Sequence, residues 1–364
     1  MAKITPTATV KQHLNDKTLA VVTLNVGDGD AIIIRFPPHY SETINGRRKN
    51  LCAVIDCNDA DKTIAALKKC NVDELPFICA THPHADHTRG LKKLIEWCVN
   101  NNKKIHQFWD SGFRHVSKIH YDLVKLLQQH QDIKFIRPTS GYEWIINGVH
   151  VQVLSPSILL KNRYDTFGTN INNASIVIKL AYPTVDIAEP FANATQAQIQ
   201  QFRLSARHPL KQNTIILGGD AQFDAWARIT EEFPELVQTS NREQLINPDL
   251  IKHQPLRCQV LKVPHHMSKH GISLEVLETL KPIYSLASCA NKSRHGFPHE
   301  ITVMAAKDIK SKKTKDKGIR YTGHHDTKMR SGTLVTLVDG DGKRPLVYGL
   351  GDTAKKNAPL PQLH

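Results

Sequence analysis

Apolar positions along the chain fall into short β-type runs that alternate with amphipathic helical stretches. Residues 19–26, 31–36 and 51–57 are rich in β-branched side chains and predict three strands. The turn Gly27-Asp28-Gly29-Asp30 joins the first two, and residues 37–50 read as a polar loop carrying Arg47, Arg48 and Lys49. Beyond Asp61 the periodicity becomes helical. Residues 77–80 then form a short buried strand that runs straight into Thr81-His82-Pro83-His84-Ala85-Asp86-His87. Leu91, Leu94, Ile95, Cys98 and Val99 recur at helical spacing, so a helix starts just after this polar cluster and the cluster lies on a strand-to-helix loop.

The middle of the chain continues with a helix over 118–130, a strand over 134–136, a hairpin turning at Asn147-Gly148, and a strand over 175–180. Residues 181–212 show no period and read as an insertion or a long surface excursion. The second half repeats the style, with strands over 213–217, 258–263 and 284–288 and helices over 223–233, 274–280 and from about Glu300. Two last strands, 333–338 and 346–348, flank Asp339-Gly340-Asp341-Gly342. Without a repeat or a proline-rich linker, this order predicts a mixed α/β protein, a single domain over 1–364 whose sheets are covered by helices.

Composition narrows the partners. Lys and Arg number 48 against 34 Asp and Glu, a formal charge of +14, which favours polyanions such as nucleic acid as a substrate. A basic segment at 307–320 holds Lys307, Lys310, Lys312, Lys313, Lys315, Lys317 and Arg320; it reads as a phosphate-contacting patch or as a solvated helix end. The seven cysteines show no C-x-x-C pairing and fit reduced core thiols. Residues 1–17 carry no continuous apolar run, so the expectation is a cytoplasmic protein with no membrane partner.

The chemistry concentrates at residues 82–87. Three histidines and an aspartate fall within this one loop, the ligand types that suit zinc, manganese or iron. His82 and His84, two apart in an extended segment, can point to one side, while Asp86 and His87 turn on to face a second ion. H-x-H-x-D-H after a buried strand resembles the metallo-β-lactamase superfamily. Further segments resemble its ComEC-type branch, which includes the hydrolase domain of DNA-uptake proteins. These are Leu24-Asn25-Val26-Gly27-Asp28-Gly29-Asp30-Ala31, Asn172-Asn173-Ala174-Ser175, Leu217-Gly218-Gly219-Asp220-Ala221 and Leu261-Lys262-Val263-Pro264-His265-His266-Met267-Ser268.

The resemblance implies a four-layer αββα sandwich with two divalent metal ions, Zn2+ or Mn2+, at one end of the paired sheets. It implies that His82 and His84 hold the first ion, that Asp220 bridges, and that Asp86, His87 and one of His265 or His266 hold the second. Asp220 also reads as a helix N-cap. Asp56 corresponds to an aspartate that supports the ligand loop, or caps its strand. The chain departs from the pattern in three places. No further histidine lies in residues 155–180 to complete the first ion, so Asn172 or Asn173 would supply an oxygen or face substrate, or water would complete the shell. Met267 replaces the glycine of H-H-G-S. Phe297 stands where the branch's G-H-P segment has histidine, leaving His295 or His299 to substitute.

The expected function is a metal-dependent hydrolase, foremost a nuclease or phosphodiesterase acting on DNA or RNA. Asp86 would orient the attacking water, His295 or His299 would protonate the leaving oxygen, and Lys269, His270 and Arg294 would bind phosphate. A phosphodiesterase for a cyclic nucleotide or phosphocholine ester is the alternative within the same chemistry. An effector subunit of a larger complex, possibly one of antiviral defence, is the alternative outside it.

Overall fold

Strand-forming runs that are apolar on both faces cannot sit at a wetted sheet surface, and each buries its two faces against different layers. The computed structural model describes residues 6–113, 115–160, 170–183, 212–237, 252–309, 318–323, 331–356 and 358–364. Its strands are β1 (Leu19–Thr23), β2 (Ala31–Arg35), β3 (Cys52–Cys57), β4 (Glu74–Ala80), β5 (Lys104–Asp110), β6 (Lys134–Ile136), β7 (Glu143–Ile146), β8 (Val149–Ser155), β9 (Val177–Tyr182), β10 (Asn213–Leu217), β11 (Val260–Lys262), β12 (Tyr284–Ala287), β13 (Ile319–Tyr321), β14 (Leu334–Val338) and β15 (Leu346–Gly349). The helices are α1 (Pro6–His13), α2 (Ala60–Lys69), α3 (Ala85–Thr88), α4 (Leu91–Asn100), α5 (Lys118–Gln129), α6 (Phe223–Glu232), α7 (Leu274–Leu280) and α8 (Glu300–Asp308).

These strands form an eight-stranded sheet in the order β15-β14-β1-β2-β3-β4-β5-β6 and a seven-stranded sheet in the order β13-β12-β11-β10-β9-β8-β7, and two further two-residue pairs, Thr43–Ile44 with Arg47–Arg48 and Leu236–Val237 with Lys252–His253, form small separate sheets. Each sheet is antiparallel on one side and parallel on the other: β3 to β6 run parallel in the first, β10 to β13 in the second. Alternation along β3 shows the layering. Ala53 and Ile55 face the inter-sheet core with Ile178 and Leu217, whereas Cys52 and Val54 face Leu67 of α2 and Leu94 of α4. Across the second sheet, Ile216 and Leu261 turn to Trp226 of α6 and Leu277 of α7. The result is the four-layer αββα sandwich that the resemblance implied.

Most boundaries fall where the pattern put them. The Asn147-Gly148 turn has both residues at positive φ, as a tight hairpin needs. The start of the unpatterned stretch moves. Ala181 and Tyr182 belong to β9, because they pair with Thr214 and Asn213, so the expected excursion does not begin at residue 181. The rest of that stretch, 184–211, lies outside the described residues, as do Lys310, Lys312, Lys313, Lys315 and Lys317 of the basic segment. All seven cysteines are buried and free. Among the described residues no helix is long and apolar enough to cross a membrane.

Trp109 is fully buried between the sheets and stacks on Phe77 with ring centroids 3.9 Å apart. Trp109→Ala is expected to cost about 3–5 kcal/mol of stability, because a cavity opens between two sheets that cannot collapse onto it. Chemical denaturation measures this; a loss below about 1 kcal/mol would place the ring outside the core.

Candidate metal centre

Strand β4 ends at Ala80, and its continuation is held by one carboxylate. Thr81 donates its backbone N–H to Asp56 Oδ1 at 2.8 Å and its hydroxyl to Oδ2 at 2.7 Å; His87 Nδ1 donates to the same Oδ2 at 2.6 Å. Asp56 thus ties both ends of the 81–87 loop to β3, and it does so from a left-handed backbone, φ 57. The Thr81 carbonyl accepts from Ile176 N at 2.9 Å, which joins this loop to the second sheet.

Asp220 arrives from that second sheet, just beyond β10. The two residues before it are glycines for a steric reason. A Cβ on Gly218 would lie 2.9 Å from the Lys262 carbonyl oxygen, and Gly219 has φ +50 with Ser175 Cβ 3.1 Å from its would-be Cβ. His265 and His266 follow β11, and they and Met267 all have positive φ (49, 52 and 67). Three consecutive non-glycine residues in this region cost roughly 1–2 kcal/mol each. The fully buried Met267 side chain, packed under α7, offsets part of that cost, which explains how methionine stands at a position suited to glycine.

These loops bring six side chains around Asp220. On one side, His87 Nε2 lies 3.3 Å and His266 Nε2 3.6 Å from Asp220 Oδ1, while Asp86 Oδ2 lies 3.7 Å from His87 Nε2 and 3.5 Å from His266 Nε2. The four atoms could hold one ion. On the other side, His82 Nε2 lies 3.8 Å and His265 Nε2 3.9 Å from Asp220 Oδ2, and His84 Nδ1 lies 3.0 Å from His82 Nε2. The tandem histidines therefore divide, His266 toward the first group and His265 toward the second. His265 stands where the sequence offered Asn172, Asn173 or water.

The partners behind the rings leave the inner nitrogens bare. His87 Nδ1 donates to Asp56 and His266 Nδ1 to the Ser288 carbonyl at 2.9 Å, so each Nε2 turns a lone pair inward. His87 Nε2, His266 Nε2 and Asp220 Oδ1 are buried with no hydrogen-bond partner. Orphaned buried acceptors converging on one point are what a divalent cation satisfies, and the donor set of imidazole and carboxylate fits such an ion.

The electrostatics point the same way. Burial opposes charge on Asp220, yet His87, His266 and His82 hold its carboxyl well below the usual range. Burial likewise opposes a charged His87, but Asp220 and Asp56 raise it well above an ordinary imidazole, and Asp220 and Asp86 raise His266 in the same manner. Burial lowers His82, His84 and His265.

The Gly27–Asp30 turn, part of the resembling segment 24–31 but assigned no contact at the site, clamps it. Asp30 N donates to the Asp86 carbonyl at 3.2 Å, and a Cβ on Gly29 would lie 2.6 Å from that same oxygen. Asp30 pairs with Lys262 of β11, both carboxylate and ammonium fully buried, directly behind His266. No single motif signals this pair, since the two residues are far apart in the chain. Gln222 is a further unanticipated neighbour, its amide 3.0 Å from His265 Nδ1.

The remaining expected residues lie farther out. Asn173 is spent on structure: its oxygen accepts from Gln222 N and Ala225 N and its amide donates to Asp224, which caps α6. Asn172 keeps a buried side-chain oxygen without a partner. His299 Nδ1 accepts from Ile301 N and caps α8. His295 is exposed and stacks on Phe297, whose ring lies 5.5 Å from that of His266. Lys269, His270 and Arg294 are exposed on the same loops. His115, which drew no attention in the sequence, places its ring 5.3 Å from His84.

An αββα sandwich with the H-x-H-x-D-H loop and a strand-end aspartate meeting at one end of its paired sheets decides the architecture. It is the metallo-β-lactamase fold. No family model matches the chain. Ribonuclease Z of Clostridioides difficile (strain 630) is 29% identical over 70 residues, 19% of this chain and 23% of that enzyme, so the match spans less than a quarter of the relative's length. Among solved structures, a diphosphatase of the PhnP family aligns with a TM-score of 0.39 and 11% identity, covering 88% of this chain and 98% of that one. The metallo-β-lactamase fold protein YhfI from Bacillus subtilis aligns at 0.40 and 10%, covering 79% and 93%. A variant of the CmlA β-hydroxylase aligns at 0.38 and 10%, covering 88% and 54%. Likenesses this distant say nothing of substrate.

Two outcomes follow from the geometry. Lys262→Met leaves the Asp30 carboxylate buried and alone and is expected to cost about 3–5 kcal/mol, whereas the double change Lys262→Met with Asp30→Asn recovers much of it. Equal losses for single and double variants in denaturation would show that the two groups act independently. For pH, raised histidine values stabilise the metal-free fold below the ordinary imidazole value of 6.5, and this contribution fades as pH rises through the raised values. A bound cation must displace those same protons. Metal affinity should therefore weaken as pH falls through the raised histidine values, with proton release measurable by calorimetry in buffers of different ionisation enthalpy; pH-independent binding without proton release contradicts it.

Proposed function

We propose that the chain is a metal-dependent phosphodiesterase of the ComEC-like type that cleaves nucleic acid. The observation that carries this reading is the buried Asp220 carboxylate presenting one oxygen to His87, His266 and Asp86 and the other to His82, His265 and His84. One carboxylate shared between two sets of nitrogen donors suits a pair of divalent ions, Zn2+ or Mn2+. Bound there, such ions supply Lewis acidity toward solvent and toward a phosphoryl oxygen.

The side chains divide the remaining work. Asp86 is the accessible carboxylate of the group, its side chain 37% exposed beside buried imidazoles, so it is placed to orient an attacking water from the open side. Asp56 holds His87 in the tautomer that turns Nε2 inward, and Ser288 does so for His266. Lys269, His270 and Arg294 on the rim, with the formal charge of +14, favour a polyanionic substrate over a small neutral one. His115, exposed beside His84, and His295 are the imidazoles from which a leaving oxygen takes its proton.

Incubation of the metal-loaded protein with labelled single- and double-stranded oligonucleotides should give cleavage that a chelator abolishes. Asp86→Ala and Asp220→Asn should each lower the rate by at least about 100-fold while circular dichroism shows the fold retained at the assay temperature. Turnover of mononucleotide-sized diesters alone would move the reading to a small-molecule phosphodiesterase. Metal-loaded protein that cuts no phosphodiester would end it.

A further inference from the structure

The two loops that follow β11 and β12 combine rings and cations without a single carboxylate. Residues 265–273 read His-His-Met-Ser-Lys-His-Gly-Ile-Ser and residues 291–299 read Asn-Lys-Ser-Arg-His-Gly-Phe-Pro-His. Their rings are not scattered. His266, Phe297 and His295 form a row, each neighbouring pair of centroids 5.5 Å apart, the first pair tilted by 33° and the second stacked at 30°. The row begins at the metal centre and ends in solvent, since His266 is buried and His295 exposed. Lys292 and Arg294 flank its outer end and are exposed as well.

A second ring pair borders the other histidine. Phe223 opens α6, is 45% exposed, and lies 6.4 Å from the His270 ring at 72°. Gln222, its chain neighbour, touches His265, and Lys269 adjoins His270. A site that reads phosphate alone needs cations and gains nothing from a phenyl ring as exposed as Phe223, with Phe297 half-buried beside it, because exposed apolar surface costs free energy in water unless something covers it. Phenylalanine at 297, where the resembling motif has histidine, removes a hydrogen-bonding group and adds a flat apolar surface. Rings interspersed with cations on these two loops suit a strand whose bases are unpaired, because every base has a face to stack and every linkage a charge.

We propose that these two ring pairs, Phe297 with His295 and Phe223 with His270, form a base-stacking platform that makes single-stranded nucleic acid the preferred ligand of this site. The inference rests on the phosphodiesterase reading for its location. It adds that recognition runs through the bases as well as the backbone, with Lys292, Arg294 and Lys269 taking the intervening phosphates. A duplex, whose bases are already stacked on each other, offers these rings nothing.

The test compares two ligands of equal charge. Fluorescence anisotropy would follow the metal-loaded full-length protein binding a labelled oligothymidylate with phosphorothioate linkages, which resist hydrolysis, and the same backbone with abasic sites throughout. The base-bearing strand should bind at least about tenfold tighter. Phe297→Ala and Phe223→Ala should each shrink that ratio several-fold, and Phe297→Trp and His295→Tyr should preserve it, which separates stacking from misfolding. Lys292→Gln should weaken both ligands alike. Equal binding of the two strands, or a ratio unmoved by both alanine changes, overturns the platform. If base preference holds while no phosphodiester is cut, the hydrolase reading fails and the platform stands; if diesters are cut without base preference, the reverse is true.

Discussion

A carboxylate sealed from water must find positive charge, and Asp220 is the point around which this protein answers that requirement. Its two oxygens face opposite sides, and on each side the nearest polar atoms are imidazole nitrogens whose backs are tied to other groups. The ties are graded in cost. His87 leans on the Asp56 carboxylate, itself buried, and Asp56 accepts two further bonds from Thr81. His266 leans on a backbone carbonyl. Behind both lies the Asp30–Lys262 pair, which brings one negative and one positive charge and so leaves the net charge of the surroundings unchanged.

The sandwich explains why these groups meet. In each sheet the parallel strands send their carboxyl ends to the same edge, and the loops leaving β4, β10, β11 and β12 supply His82 to His87, Asp220, His265 with His266, and Ser288. Ligands gather at the carboxyl ends of parallel strands for the general reason that the connections there are free of pairing duties. The antiparallel halves serve as the wall between. The Thr81 carbonyl, bonded to Ile176 of the opposite sheet, fixes the spacing of the two edges.

Much of this was legible in the chain because it depends on local order. The H-x-H-x-D-H run is a single loop, and its position between a buried strand and an amphipathic helix follows from periodicity alone. Asp220 after two glycines is also local, since steric closeness at Gly218 and Gly219 demands residues without a Cβ. What could not be read depends on tertiary pairing. Lys262 lies within an apolar strand, and only the approach of Asp30 from the other sheet gives its charge a partner. Asn172 and Asn173 look alike in sequence, yet one caps α6 while the other keeps an unpartnered oxygen. His115 has no motif around it; the path of the loop after β5 carries it to His84.

The division of His265 and His266 shows how backbone conformation sets chemistry. Adjacent residues in an extended strand point to opposite faces of a sheet, and adjacent residues on a helix diverge by about 100°, so neither would set both rings against one carboxylate. With both residues in the left-handed region, the chain curls tightly enough for the rings to lie 6.3 Å apart at 65°, one on each side of Asp220. Glycine at 267 would ease the turn that follows but leave nothing beneath α7 to hold it. Methionine there trades backbone ease for a buried anchor, and the anchor keeps the strained pair in place because the side chain cannot leave the core without exposing it. Strain in the loop and packing under it are thus one device, and the positions of two imidazole nitrogens depend on both.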